Sequence, residues 1–443
     1  MKSAMNAFAA SRWMFLSLIV VTTVMSGATY PRAEWPVASP ADEGMVVERL
    51  HEARDFALTG GGAGAIIRHG KLVYSWGDQA ELYDLKSTTK SIGGTVLGLA
   101  LKDGKVGLDD LAAKYHPELV ASAGADEQKA WFQKITLRQL ANQCAGFEKE
   151  KSSNKLLYAP GTKYMYSDSG PNVLAECLTL VYGRDLNDVM FERVFTPLGI
   201  TPRDIQWRKN SARPDLIEGI KRREFGAGFS ANMRAMSRFG YLYLRNGAWN
   251  GQQIVTEEYV RLVSRPAPEL HGLEEYGATH GNTAEHYSLL WWNNADSRFR
   301  DVPRDAFHTA GMYNSYILVI PSLDLVVVRA GRAWPPPNQA RTQEDRRSGQ
   351  ERFFGPIVAS IAGFTPRPAP VRCGPRAQAP HRRSAGEIRP QPVPASEGNS
   401  FKNRGRGFLE KEHRMTGKRT PSQARSCLLC RRRPLMNARR IAQ

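Results

Sequence analysis

Long apolar runs are almost absent from this chain of 443 residues. The single one, WMFLSLIVVTTVM (Trp13 to Met25), falls short of the ~20 residues that a membrane-spanning helix needs. Lys2 and Arg12 come with it and Ser26-Gly27-Ala28 follows, the order of a cleaved export signal over residues 1–28. The expected location is periplasmic or secreted. No cysteine follows the run, which argues against a lipid anchor. Cysteine is scarce throughout, at five residues. Only Cys144 and Cys177 precede the C-terminal stretch. Two scattered thiols exclude a disulfide framework, although an oxidising compartment would let them pair. Cys427 and Cys430 form a lone C-x-x-C without the second half of a zinc site. No metal or cofactor is implied. No internal repeat is present, which excludes solenoids and propellers.

Acidic residues are also in deficit, 43 against 61 Lys and Arg, for a net charge of +18. Position decides what this means. Pro366 to Gln443 holds 19 Lys and Arg against four Glu, while Thr29 to Thr365 carries only +1. A basic groove for nucleic acid therefore has no support in the charge balance of residues 29–365. The tail, residues 366–443, is rich in Pro, Arg, Gln and Ser. It is too poor in aromatic and β-branched residues to order itself. Any contact with anionic surfaces would rest on it alone.

What is present between signal and tail is a patterned globular chain. Val47, Leu50, Ala53 and Phe56 have helical spacing. GAGAIIRHGKLVYSWG predicts a hairpin around His69-Gly70. Leu108 to Leu262 is mostly helical pattern and loops. NSYILVIPSLDLVVVRAG predicts a second hairpin, and PIVASIAGF (Pro356 to Phe364) a closing helix. Strands at both ends are expected to share one antiparallel sheet flanked by helices, an α/β fold of the α+β type. The middle is expected to form a mainly helical lobe, with a cleft between lobe and sheet.

One short stretch carries chemistry. DLKSTTKSIGG (Asp84 to Gly94) places Ser87 and Lys90 three residues apart where a helix begins, so they share a face. A serine hydroxyl is a poor nucleophile at neutral pH. Lys90 could take its proton if burial or another cation lowered the lysine pKa. Alone, the pattern equally describes a capped helix with a surface lysine. Two further stretches strengthen it. YAPGTKYMYSDSGPNVLAECL puts Tyr166-Ser167-Asp168 ahead of a helix beginning near Pro171. FHTAGMYNSYILVIP puts His308-Thr309-Ala310-Gly311 before the late hairpin. Taken singly, Tyr166 reads as a packed aromatic, Asp168 as a helix N-cap and His308 as structural.

Together and in this order, the three stretches resemble the serine β-lactamase and penicillin-binding-protein superfamily. The branch is that of class C β-lactamases, D-aminopeptidases, family VIII carboxylesterases and 6-aminohexanoate-dimer hydrolases. The resemblance covers about Ala38 to Thr365. It is carried by STTK at Ser87, YSD at Tyr166 in place of Y-x-N, and HTAG at His308 in place of Lys-Thr-Gly. TLRQLANQCAGFE, YSLLWWN and SYILVIPSLDLVVVRAG support it. It implies a β-lactamase/transpeptidase-like fold and an exported serine hydrolase that cleaves an ester, amide or D-amino-acid peptide bond through an acyl-enzyme on Ser87. Lys90 would help remove the serine proton. Tyr166 would act with Lys90 as base and then protonate the leaving group. Asp168 takes the place of an asparagine that usually bonds the lysine and the substrate. His308, Thr309 and Ala310 would border the site at the sheet edge. The N–H groups of Ser87 and of Ala310 or Gly311 would form an oxyanion hole. Ser167-Asp168-Ser169 offers a different frame, S-D-N, but its surroundings look more like the tyrosine-bearing branch.

Two departures bear on substrate. A histidine of ordinary pKa near 6.5 is mostly neutral at pH 7, so His308 lacks the charge of the usual lysine until the pH falls toward 6. Asp168 adds negative charge. Anionic β-lactams are expected to bind less well than neutral esters or amides. Trp291 and Trp292 are expected to pack rather than line the cleft. The competing readings are a β-lactamase or penicillin-recognising protein of slow turnover, and a polyanion- or membrane-binding protein acting through its tail. The composition shift at Pro366 generates a prediction: a chain ending at Thr365 should fold and keep its hydrolytic rate. Loss of a cooperative melt would show that the tail packs on the core.

Overall fold

The two hairpins read from the sequence are neighbours in space. In the computed structural model the described residues are 28–149, 154–209, 213–278, 283–334 and 343–365. The chain divides into two units, Met1–Arg372 and Cys373–Gln443, and all described residues belong to the first. The basic tail lies outside them, as does the expected export signal apart from its last residue.

The sheet has seven strands: β1 (Ala63–Arg68), β2 (Lys71–Trp76), β3 (Tyr287–Ser288), β4 (Trp291–Asn293), β5 (Phe307–His308), β6 (Tyr316–Ile320) and β7 (Leu325–Ala330). Their order is β3-β4-β5-β6-β7-β1-β2, and every pairing is antiparallel. The expected sharing of one sheet by both chain ends is thus found, with Ile66 opposite Val327. His69 and Gly70 both take positive φ, 50° and 76°, as a tight two-residue turn requires.

Alternation along β7 explains its sequence. Leu325 and Val327 face a cluster with Ile66, Leu318 and residues of α1 (Val47–Leu58). Val326 and Val328 face the opposite cluster with Ala65, Ile67 and Ile317. Both faces are covered, so every residue of β6 and β7 is buried, and the strands read as nearly continuous apolar runs.

Four helices from the middle matter for the site: α2 (Thr88–Lys102), α3 (Leu137–Ala141), α4 (Ser169–Tyr182) and α5 (Met233–Leu244). Helix α2 is buried without a break from Thr88 to Ala100, the mark of a central helix. Gly93 lies so close to the Phe225 ring that a Cβ would come within 2.6 Å of it. The helices of the middle and one face of the sheet share a single apolar cluster. The closing helix differs from the expected one: α6 spans Gln343–Ala359 and contains Pro356. The polar residues before Phe353 carry no apolar period, and a proline reads as a start. The face that packs, Phe353, Phe354, Ile357 and Val358, is buried with α1. Cys144 and Cys177 are free, buried and in different clusters, so they do not pair.

Arg329 on β7 is fully buried with no carboxylate partner shown. Its guanidinium donates instead to the carbonyls of Tyr313 (2.6 Å), Asn314 (3.0 Å), Gly61 (3.0 Å) and Arg332 (2.8 Å). Burial lowers its pKa to about 10, still charged at neutral pH. Hydrogen bonds to a charged group contribute about 1.5–3 kcal/mol each, and carbonyls left unpaired are costly. Arg329→Met should therefore lower stability by about 3 kcal/mol or more, read from the urea unfolding midpoint. An unchanged midpoint would show that water replaces the guanidinium.

Candidate active site

The turn that delivers Ser87 is held from several sides. Lys86, just before it, has a left-handed φ of 50°. Its N–H donates to Asp84 Oδ1 (3.0 Å), and its ammonium pairs with the same carboxylate (2.6 Å). Ser315 Oγ donates to the Leu85 carbonyl (2.6 Å), and Thr88 Oγ1 to the Ser315 carbonyl (2.9 Å). These buried hydroxyls bind the start of α2 to the β5–β6 edge. Gly311 permits that approach, since a Cβ there would lie 2.3 Å from the Leu85 carbonyl oxygen.

Ser87 ends up half-buried and lines a cavity of about 460 Å³. One turn along, Lys90 Nζ lies 3.4 Å from Ser87 Oγ and donates to the Gly226 carbonyl (2.9 Å) and to Asp168 Oδ1. Only 1% of the lysine side chain is exposed, against 33% for Asp168. Burial pulls the Lys90 pKa down, but the Asp168 carboxylate and Tyr166 outweigh it and hold the pKa above the ordinary lysine value. For Lys90 itself to take the serine proton, its pKa would have to be lowered. The ion pair reverses the direction, and Lys90 is an ammonium at neutral pH. Nor is Asp168 a capping residue. It occupies the N-cap position of α4 but makes no side-chain cap bond, because its carboxylate is turned to Lys90.

Tyr166 lies in the same cavity, with its ring centroid 4.9 Å from Lys90 Nζ. His308, Ala310 and Gly311 line it too, so the structure brings together Ser87, Lys90, Tyr166, Asp168, His308, Ala310 and Gly311. Thr309 is the exception in its motif. Its hydroxyl turns inward to Thr88 Oγ1 (3.1 Å) and accepts from Ile317 N–H (2.9 Å). Gly311 N–H donates to the Ser315 carbonyl (3.0 Å). The N–H groups of Ala310 and Ser87 have no acceptor among the described residues. Of the two alternatives beside Ser87, Ala310 is therefore the free donor.

His308 is buried, and its Nδ1–H donates to the Thr309 carbonyl (3.0 Å). Burial pushes its pKa down to about 4. It therefore stays neutral at pH 6, where sequence reasoning expected it to begin charging. Trp291 is fully buried as expected, but Trp292 lines the cavity with its ring stacked on His308.

Several residues were missed. Lys149, Arg298 and Arg346 line the cavity, and among the described residues Asp168 is the one acidic residue that does, already paired with Lys90. The three cations bring positive charge to the lining beside the neutral His308. Gly226 is needed where it is, since a Cβ would come within 2.9 Å of Asp168 Cβ. Asn172 Oδ1 accepts the Gly226 N–H (2.8 Å) and fixes it there. Glycines and single cations in separate loops carry no spacing that would have flagged them.

The family model Beta-lactamase matches residues 52–350, and the chain belongs to that family. It is a serine hydrolase of the β-lactamase/transpeptidase-like fold. A putative D-alanyl-D-alanine carboxypeptidase of Escherichia coli O157:H7 is 26% identical over 285 residues, 53% of this chain and 62% of that one. A solved putative 6-aminohexanoate-dimer hydrolase from Bacillus anthracis superposes with a TM-score of 0.54 at 19% identity, covering 74% of this chain and 87% of the other. A family VIII carboxylesterase gives a TM-score of 0.50 at 17% identity, covering 70% and 99%.

The Lys90–Asp168 pair generates a prediction. Asp168→Asn removes the carboxylate that raises the lysine pKa, which leaves burial to lower it. The alkaline limb of the kcat/KM profile, where Lys90 loses its charge, should move to lower pH. An unmoved limb would show that Lys90 does not set it.

Proposed function

We infer that Ser87 is the nucleophile of an exported enzyme that cleaves a small ester, amide or D-amino-acid peptide substrate through an acyl-enzyme. The observation that carries this is the convergence of Ser87 Oγ, Lys90 Nζ, Tyr166 and two free backbone N–H groups on one cavity. The Lys90 ammonium stands beside the Tyr166 ring. Tyr166 then takes the Ser87 proton as the new C–O bond forms, and returns it to the leaving group as the old bond breaks. The N–H groups of Ser87 and Ala310 receive the negative charge that develops on the carbonyl oxygen. Asp168 keeps Lys90 charged and in place, and Gly226 supplies its second acceptor.

Support comes from the names of similar proteins: a putative D-alanyl-D-alanine carboxypeptidase, a putative 6-aminohexanoate-dimer hydrolase and a family VIII carboxylesterase. A β-lactam is a second reading, favoured by the cations at Lys149, Arg298 and Arg346, which suit a substrate carboxylate. Export and the tail's contacts belong to this proposal as expectations from the sequence.

A fluorophosphonate should add to Ser87, located by mass spectrometry, and should not label Ser87→Ala. Equal labelling of both would end the assignment. A p-nitrophenyl ester and nitrocefin then test the choice of substrate. Because His308 does not charge until about pH 4, the ratio of the two activities should stay flat from pH 8 to 6. A ratio that turns near pH 6.5 would mean that His308 titrates in that range.

A further inference from the structure

Gln143 combines burial with a left-handed backbone, φ 59°. It sits just past the end of α3, where a residue in this conformation is ordinary, although glycine or asparagine is the usual choice. What is not ordinary is where its hydrogen bonds go. The Gln143 carbonyl accepts the N–H of Met165 (3.0 Å), and its side-chain Oε1 accepts the N–H of Ser167 (2.5 Å). These two bonds grip the chain on either side of Tyr166. The remaining side-chain group, Nε2, donates to Tyr287 OH (2.8 Å). The Tyr287 ring stands edge-on to Tyr166 (6.2 Å, 87°) and to Trp292 (5.1 Å, 87°). Both polar atoms of one side chain thus act on groups that hold the Tyr166 ring.

The neighbouring residues anchor this clamp to the helix that carries Lys90. The Ala141 carbonyl accepts Leu290 N–H (3.1 Å), and Asn142 Oδ1 accepts Leu289 N–H (2.6 Å). Leu289 and Leu290 are themselves left-handed, at φ 42° and 72°. The Leu290 carbonyl accepts from Ser91 Oγ (2.7 Å), next to Lys90 on α2. Strained residues of this kind persist only where the surroundings over-determine them, and they cluster at functional sites.

We propose that Gln143 is a positioning residue that fixes the Tyr166 hydroxyl for proton transfer to the leaving group. This rests on the reading of Tyr166 as acid and base given above. Gln143→Met keeps the side chain's length and removes both of its hydrogen bonds. The assay measures kcat/KM for a p-nitrophenyl ester and for an alkyl ester of the same acid, in the wild-type and Tyr166→Phe backgrounds. Small misplacements of a reacting group can cost about 100-fold, so Gln143→Met should lower the alkyl ester's kcat/KM by about that factor. The p-nitrophenyl ester should lose less than about tenfold, because nitrophenolate leaves without being protonated. In the Tyr166→Phe background the same substitution should cost under about threefold, since no hydroxyl remains to be positioned.

Equal losses on the two esters, or equal losses in the two backgrounds, would overturn the clamp while leaving Tyr166 in its role. A Tyr166→Phe enzyme as active as wild type would overturn the reading of Tyr166 and the clamp with it. If Gln143→Met does not melt cooperatively, Tyr287→Phe removes only the acceptor of the Nε2 bond and reads the same ratio. It should depress the alkyl ester more than the p-nitrophenyl ester, and an unchanged ratio would overturn the proposal.

Discussion

Lys90 carries an ammonium group into the interior, and such a charge is tolerated only when it is paired and hydrogen-bonded. Much of the site's architecture serves that requirement. Asp168 supplies the countercharge from the N-cap position of α4, and Gly226 supplies a carbonyl from a loop. Gly226 has to lack a side chain so that Asp168 can come close, and Asn172 holds it in register. Ser87 is placed as a consequence, one helical turn away on the same face. An asparagine at position 168 would satisfy a neutral amine as well as an ammonium. An aspartate commits the site to the charged form, which on the proposed reading leaves the serine proton to Tyr166.

The parts of this site that were legible in the sequence are those whose geometry is local. Ser87 and Lys90 are one turn apart on α2. Tyr166 and Asp168 precede the start of a helix, and His308 to Gly311 precede a strand. The two hairpins were legible for the same reason. What could not be read depends on residues distant in sequence. The direction of the Lys90 shift is a contest between burial and a carboxylate 78 residues away. The depth at which His308 is buried follows from aromatic rings on β4, β6 and α6. Lys149, Arg298 and Arg346 are unremarkable charges until the fold brings them to one cavity. The N–H of Ala310 was separable from that of Gly311 only once the turn to Ser315 was visible.

The cavity also shows how a sheet edge and a helix start can be made rigid without a disulfide or a metal. Thr88, Thr309 and Ser315 form a buried hydroxyl cluster between them. On the other side of the strand, Arg329 gathers the carbonyls of Tyr313 and Asn314, which line the cavity. Each device is a set of neutral or singly charged hydrogen bonds in a dry setting, where such bonds are strongest and hardest to replace.

The order of the strands has a consequence for how the chain is made. β1 lies between β2 and β7, and Ile66 waits for Val327, about 260 residues later, before its sheet can close. At the usual pace of synthesis, about 5–20 residues per second, that interval is roughly 13 to 50 s. Through it the first hairpin has one edge unpaired and its apolar faces uncovered. Such non-local pairing slows folding and exposes the growing chain to aggregation. Strands β6 and β7 are the seam on which the sheet closes.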